Sequence, residues 1–125
     1  MIHHVSFGTN DAERARAFYD PVLAVVGIRR LGMRDGSIDY GVGSLLFSLE
    51  KPTNGEAASV GNGAHVAFAA EDRPMVDEFY RVALANGGTD AGPPGLRPEY
   101  DAHYYGAFVR DPDGNKIEAV TLLSK

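Results

Sequence analysis

Two histidines stand at matching places in this chain: His4 heads the alternating run of "HHVSFGTND", and His65 heads that of "GAHVAFAAED". A neutral imidazole can ligate a divalent metal or accept a proton near neutral pH. The chain has no cysteine, which excludes disulfides, thiolate nucleophiles and Cys-ligated zinc. Any metal must therefore be held by His, Asp or Glu. Further along, "PEYDAHYYGAFVRD" brings Tyr100, His103, Tyr104 and Tyr105 close together. These side chains could line a pocket, stack on a planar ligand or supply a hydroxyl donor. The alternative is a strand of β-favouring aromatics packed on a helix. Alternation divides the pair, because Tyr104 and Tyr105 cannot both face a pocket. Arg97, between Gly- and Pro-bearing turns, has the fork geometry for a substrate carboxylate, or is simply solvated.

The histidines are paired by an internal repeat. Shifting the chain by 61 residues places His4 on His65, Val5 on Val66, Phe7 on Phe68 and Asp11 on Asp72. It also places Phe18 on Phe79, Tyr19 on Tyr80, Leu23 on Leu84, Ala24 on Ala85 and Gly27 on Gly88. Nine identities fall in the 24 positions from 4–27 and 65–88, where unrelated sequence gives about one or two. The matches retain a strand's apolar face, a helix start, an aromatic pair and a closing glycine. The repeat singles out His4 over His3.

Each copy reads strand, helix, then three strands. In the first, Ile2–Thr9 alternates around Val5 and Phe7, leaving His4 and Ser6 on the other face. Asp11 can cap a helix whose stripe is Ala15, Phe18, Tyr19 and Val22. Asp20-Pro21 is expected to interrupt that helix and restart it. Strands follow at Ile28–Arg34, Ser37–Val42 and Ser44–Glu50. In the second copy Pro74 suits a first helical turn, and Val76, Phe79, Tyr80 and Ala83 form the stripe. Gly27 and Gly87-Gly88 are natural helix stops. The remaining strands are a weak one at Gly88–Ala91, then Tyr104–Arg110 and Lys116–Leu122, with "AGPPGLRPEYD" read as a loop. Asp111-Pro112-Asp113-Gly114 is a turn to which no chemistry is assigned.

The duplicated βαβββ pattern, together with "FYDPVLAVVGI" and above all "FVRDPDGNKIEAV", resembles the vicinal oxygen chelate superfamily. That superfamily includes glyoxalases, bleomycin-resistance proteins, fosfomycin-resistance enzymes and extradiol dioxygenases. The resemblance covers nearly the whole chain and implies an α+β fold. Two βαβββ modules, related by a pseudo-two-fold axis, would curl a mixed sheet around a pocket. The modules are expected at about residues 1–50 and 63–125, with a connection at 51–62. It also implies a homodimer with pockets at or near the interface, and a divalent metal such as Zn, Ni, Mn or Fe(II). Metal-dependent members draw ligands from the first and last strands of each module. Carried over, these positions are His4, His65 and Glu118, a facial set with open positions. The fourth falls on either Ser48 or Glu50, since both lie opposite Leu45, Phe47 and Leu49. Glu118 or Glu50 would then move a proton on a substrate held through vicinal oxygens.

The bulk numbers agree with a small globular domain. A net charge of −5 without a Lys/Arg cluster excludes a nucleic-acid footprint. No apolar run reaches membrane-span length and no signal-peptide pattern opens the chain, so a cytoplasmic location is expected, while the resemblance implies a small-molecule partner. The leading expectation is a glyoxalase-like lyase or isomerase. The alternatives are a ligand-sequestering protein of bleomycin-resistance type and an Fe(II) ring-cleaving enzyme.

Overall fold

The computed structural model describes residues 1–124. The chain runs β1 (Val5–Gly8), α1 (Ala12–Val25), β2 (Arg29–Arg34), β3 (Ser37–Val42) and β4 (Ser44–Glu50). It then repeats the order as β5 (His65–Ala69), α2 (Arg73–Ala85), β6 (Thr89–Leu96), β7 (Tyr105–Arg110) and β8 (Lys116–Thr121). Each module forms its own four-stranded mixed sheet, in the orders β1-β4-β3-β2 and β5-β8-β7-β6. In both, the first strand lies parallel to the last and the other pairings are antiparallel. The repeat thus survives as a repeat of topology, in two open sheets. Among the described residues no helix is long and apolar enough to cross a membrane.

Alternation sorts each sheet into two faces. Toward the helices point Ile38, Tyr40, Phe47 and Leu49 in module one and Ala107, Val109, Ile117 and Ala119 in module two, all buried. They meet Phe18, Tyr19, Val22 and Leu23 of α1 and Val76, Phe79 and Ala83 of α2. The phenol of Tyr40 donates to Asp20 on α1, and that of Tyr105 to Asp77 on α2. Phe47 and Phe68 stack edge-on at 5.3 Å and join the two cores. The other face of the module-two sheet carries Glu118, with Phe108 opposite it.

The expected helix caps are present. Asp11 accepts from the Arg14 amide and Asp72 from the Met75 amide, satisfying otherwise unpaired first-turn donors. Pro74 occupies the first turn of α2 as expected. Two expectations need correction. Asp20-Pro21 does not interrupt α1, which continues through Pro21 to Val25. Burial of Phe18, Tyr19, Val22 and Leu23 on one stripe outweighs the missing amide. The stretch "AGPPGL" is strand rather than loop, because β6 runs to Leu96. It is an edge strand with register shifts around Gly92, a position where proline costs no inner ladder bond.

The turn after β7 fastens the modules together. Asp111, almost fully buried, accepts from the Tyr19 phenol at 2.6 Å, the Asn115 amide nitrogen at 3.0 Å and the Asp113 and Asn115 backbone N–H groups at 2.9 Å. Asn115 donates onward to the Gly8 carbonyl at the end of β1. Asp113 accepts from Thr9, the Asn10 backbone and Arg14. Burial pushes the Asp111 carboxyl above the ordinary carboxylate range, against the pull of its donors. The Tyr19 phenol is held protonated by burial first and by Asp111 second.

Candidate functional site

On the helix-free face of module two, β5 and β8 run parallel with Ala67 opposite Glu118. This register brings His65, at the head of β5, beside Glu118, and His65 Nε2 lies 3.2 Å from Glu118 Oε1. The other carboxylate oxygen accepts a hydrogen bond from the Tyr104 hydroxyl. Glu118 is only 1% exposed, yet both its oxygens are partnered. Burial first, and the bond to Glu118 second, raise the Tyr104 phenol well above the usual tyrosine value. At neutral pH Tyr104 is therefore a hydroxyl donor.

The packing leaves room for this carboxylate by omission. Gly106, on β7, has no side chain; a Cβ there would stand 2.9 Å from Glu118 Oε2 and 3.2 Å from the Tyr104 ring. Phe108, two residues on and opposite Glu118 in the β7–β8 register, walls the site, with its ring centroid 6.1 Å from that of His65. His65, Tyr100, Tyr104, Phe108, Lys116 and Glu118 together line a cavity of about 390 Å³.

The remaining sequence-derived residues lie elsewhere. His4 directly precedes β1 in module one, exposed, with its Nδ1 2.8 Å from that of His3. Glu50 closes β4 and pairs with Arg34 at 3.5 Å, while Arg34 also holds Asp39 at 2.8 Å. Arg97 donates to the Pro93 and Leu96 carbonyls and stands over the Phe108 ring at 5.5 Å. His103 is exposed next to Tyr104, its backbone N–H held by Asp101. Within one chain the structure thus assembles His65, Glu118 and Tyr104, and does not bring His4 or Glu50 to them. Among the described residues no group of three or more His, Asp or Glu is placed to hold one ion.

The registers also separate Ser48 from Glu50. Val5 and Val66 correspond in the repeat; Ser6 pairs with Ser48 on β4, as its counterpart Ala67 pairs with Glu118 on β8. Ser48, not Glu50, is therefore the counterpart of Glu118. Its hydroxyl is engaged with that of Ser6 at 2.8 Å. Lys116, Phe108 and Gly106 were not singled out from the sequence. Lys116 was within reach of that reading, since it lies two residues before Glu118 on the same face of one strand.

This chain belongs to the glyoxalase/bleomycin resistance protein/dioxygenase superfamily, whose model matches residues 1–119. Among solved structures it is similar to a glyoxalase/bleomycin resistance protein from Albidiferax ferrireducens T118, at 39% identity and a TM-score of 0.90, covering 96% of this chain and 98% of that one. A glyoxalase-related enzyme from Fulvimarina pelagi shares the fold at 20% identity and a TM-score of 0.76, covering 96% of this chain and 86% of that one. So does a family enzyme from Burkholderia phytofirmans PsJN, at 20% identity and a TM-score of 0.75, covering 97% and 98%. No curated protein matches the chain.

Proposed function

We propose that the protein is a glyoxalase-like, metal-dependent lyase or isomerase acting on a small substrate with vicinal oxygens. The observation that carries this reading is the buried Glu118 carboxylate, set against His65 and held by Tyr104. A buried carboxylate is costly unless it is paired or ligates a cation, and imidazole with carboxylate is a donor set suited to Zn, Ni, Mn or Fe(II). His65 and Glu118 fit as two protein ligands of one ion. The third is His4, which sits in the other module and is supplied by a second copy in a homodimer. Ser48 offers only a neutral hydroxyl already bonded to Ser6, so three strong ligands with open positions are the expected set.

A divalent ion bound there acts as a Lewis acid toward two adjacent substrate oxygens. The residues of the chain do the rest. Tyr104 fixes the Glu118 carboxylate through Oε2 and keeps its proton at neutral pH. Glu118 moves the proton on the carbon next to those oxygens. It is preferred to Glu50, whose carboxylate is engaged by Arg34. Phe108 and Tyr100 line the site beside Glu118.

The test is metal analysis of untagged protein purified without chelator, followed by titration of the metal-free form with Zn²⁺, Ni²⁺, Mn²⁺ and, anaerobically, Fe²⁺. About one ion per chain is expected. Glu118→Ala and His65→Ala should each weaken binding at least about 10–100-fold, and His3→Ala should change little. Equal, weak binding by all four proteins would overturn the metal reading in favour of a ligand-sequestering pocket.

A further inference from the structure

A second and larger cavity, about 690 Å³, adjoins the first, and His65 and Lys116 line both. Its wall is cationic. Arg110 and Lys116 are direct cross-strand partners in the β7–β8 register, and both residues line this cavity. Like charges directly opposite each other destabilise a strand pair. Among the described residues neither has a carboxylate within 4.0 Å. Arg110 spends one N–H on the Gly114 carbonyl, and Lys116 lies 4.8 Å over the Phe108 ring. The acidic residue on this wall, Asp113, is already matched by Thr9, Asn10 and Arg14. An uncompensated pair of cations is notable in a chain whose net charge is −5.

We propose that Arg110 and Lys116 form a subsite for an anionic group of the substrate, a carboxylate or a phosphate. The inference rests on the reading of His65 and Glu118 as the reacting end. The substrate then carries vicinal oxygens at one end, at Glu118, and an anion at the other, between β7 and the Gly61–Ala64 turn. Charge-assisted bonds to both cations relieve their mutual repulsion as the anion binds. Lys116, at the junction of the two cavities, sets the distance between the two ends.

Calorimetric titration of the metal-free protein with inorganic phosphate and, separately, with succinate tests this, at ionic strength held constant with chloride. Binding of either probe is expected, and which of the two binds tells phosphate from carboxylate. Lys116→Gln and Arg110→Gln should each weaken it about tenfold or more. Arg29→Gln, which removes an exposed cation from module one, should leave it unchanged. Circular dichroism of the two variants should match the wild type, since each change removes one of two opposed like charges. No binding of either probe, or equal affinity in all four proteins, would overturn the subsite. Metal titration of Arg110→Gln, a residue that lines the second cavity and not the one around Glu118, keeps the two readings separate. Loss of the anion site with wild-type metal affinity supports the subsite, and anion binding by a protein that takes no metal would retain it while rejecting the metal.

Discussion

In the proposed function Glu118 carries the chemistry, and in the structure it is a buried side chain with a partner on each oxygen. Tyr104 supplies a donor, His65 supplies an imidazole, and the bare Cα of Gly106 supplies space. The last of these is open to a sharp test. Gly106→Ala places a methyl 2.9 Å from Glu118 Oε2 without demanding an unusual backbone angle. It should displace the carboxylate, lowering stability by about 1–3 kcal/mol as overpacking does and metal affinity by roughly tenfold or more. Urea denaturation and metal titration of the one variant check both; wild-type values in each would mean Gly106 is not shaping the site. At this scale the sequence was informative about types and faces. The repeat marked His4 and His65, and alternation put Glu118 opposite the core and split Tyr104 from Tyr105. It was silent on Gly106 and Phe108, because the need for a missing side chain is visible only once β7 lies against β8.

At the scale of elements, the turn from Asp111 to Asn115 does more than reverse the chain. It bonds to Tyr19, Gly8, Thr9, Asn10 and Arg14, all in the other module. Asp111→Ala would leave the Tyr19 phenol, two backbone N–H groups and the Asn115 amide without their acceptor. A loss of about 3 kcal/mol or more is expected, read as a lower urea midpoint. A change within about 0.5 kcal/mol, ordinary for a surface position, would contradict the fastening role. The turn itself was legible from Asp-Pro-Asp-Gly. Its partners were not, since they lie about ninety to a hundred residues away and no local rule names them. The same limit explains Pro21 and the Pro93-Pro94 strand. Proline reads locally as a stop, but a buried helical stripe and an edge position overrule it.

For the whole molecule, one duplicated segment was enough to expect two βαβββ modules, and the matched registers of β1–β4 and β5–β8 bear that out. What the sequence left open is how the halves meet. The modules pack through their helices and the Phe47–Phe68 contact, and the helix-free face that carries His65 and Glu118 holds only these two of the proposed ligands. In the proposed homodimer a second copy brings His4 to that face. Co-refolding His4→Ala with His65→Ala in equal amounts tests it directly. Neither variant alone should show a high-affinity ion site. In a mixed dimer one site pairs His65 of one chain with His4 of the other, both intact, while the second site lacks both. Random pairing makes half the dimers mixed, so titration should recover about one quarter of the wild-type sites at wild-type affinity. No recovery in a mixture shown by mass spectrometry to contain mixed dimers would contradict the shared site.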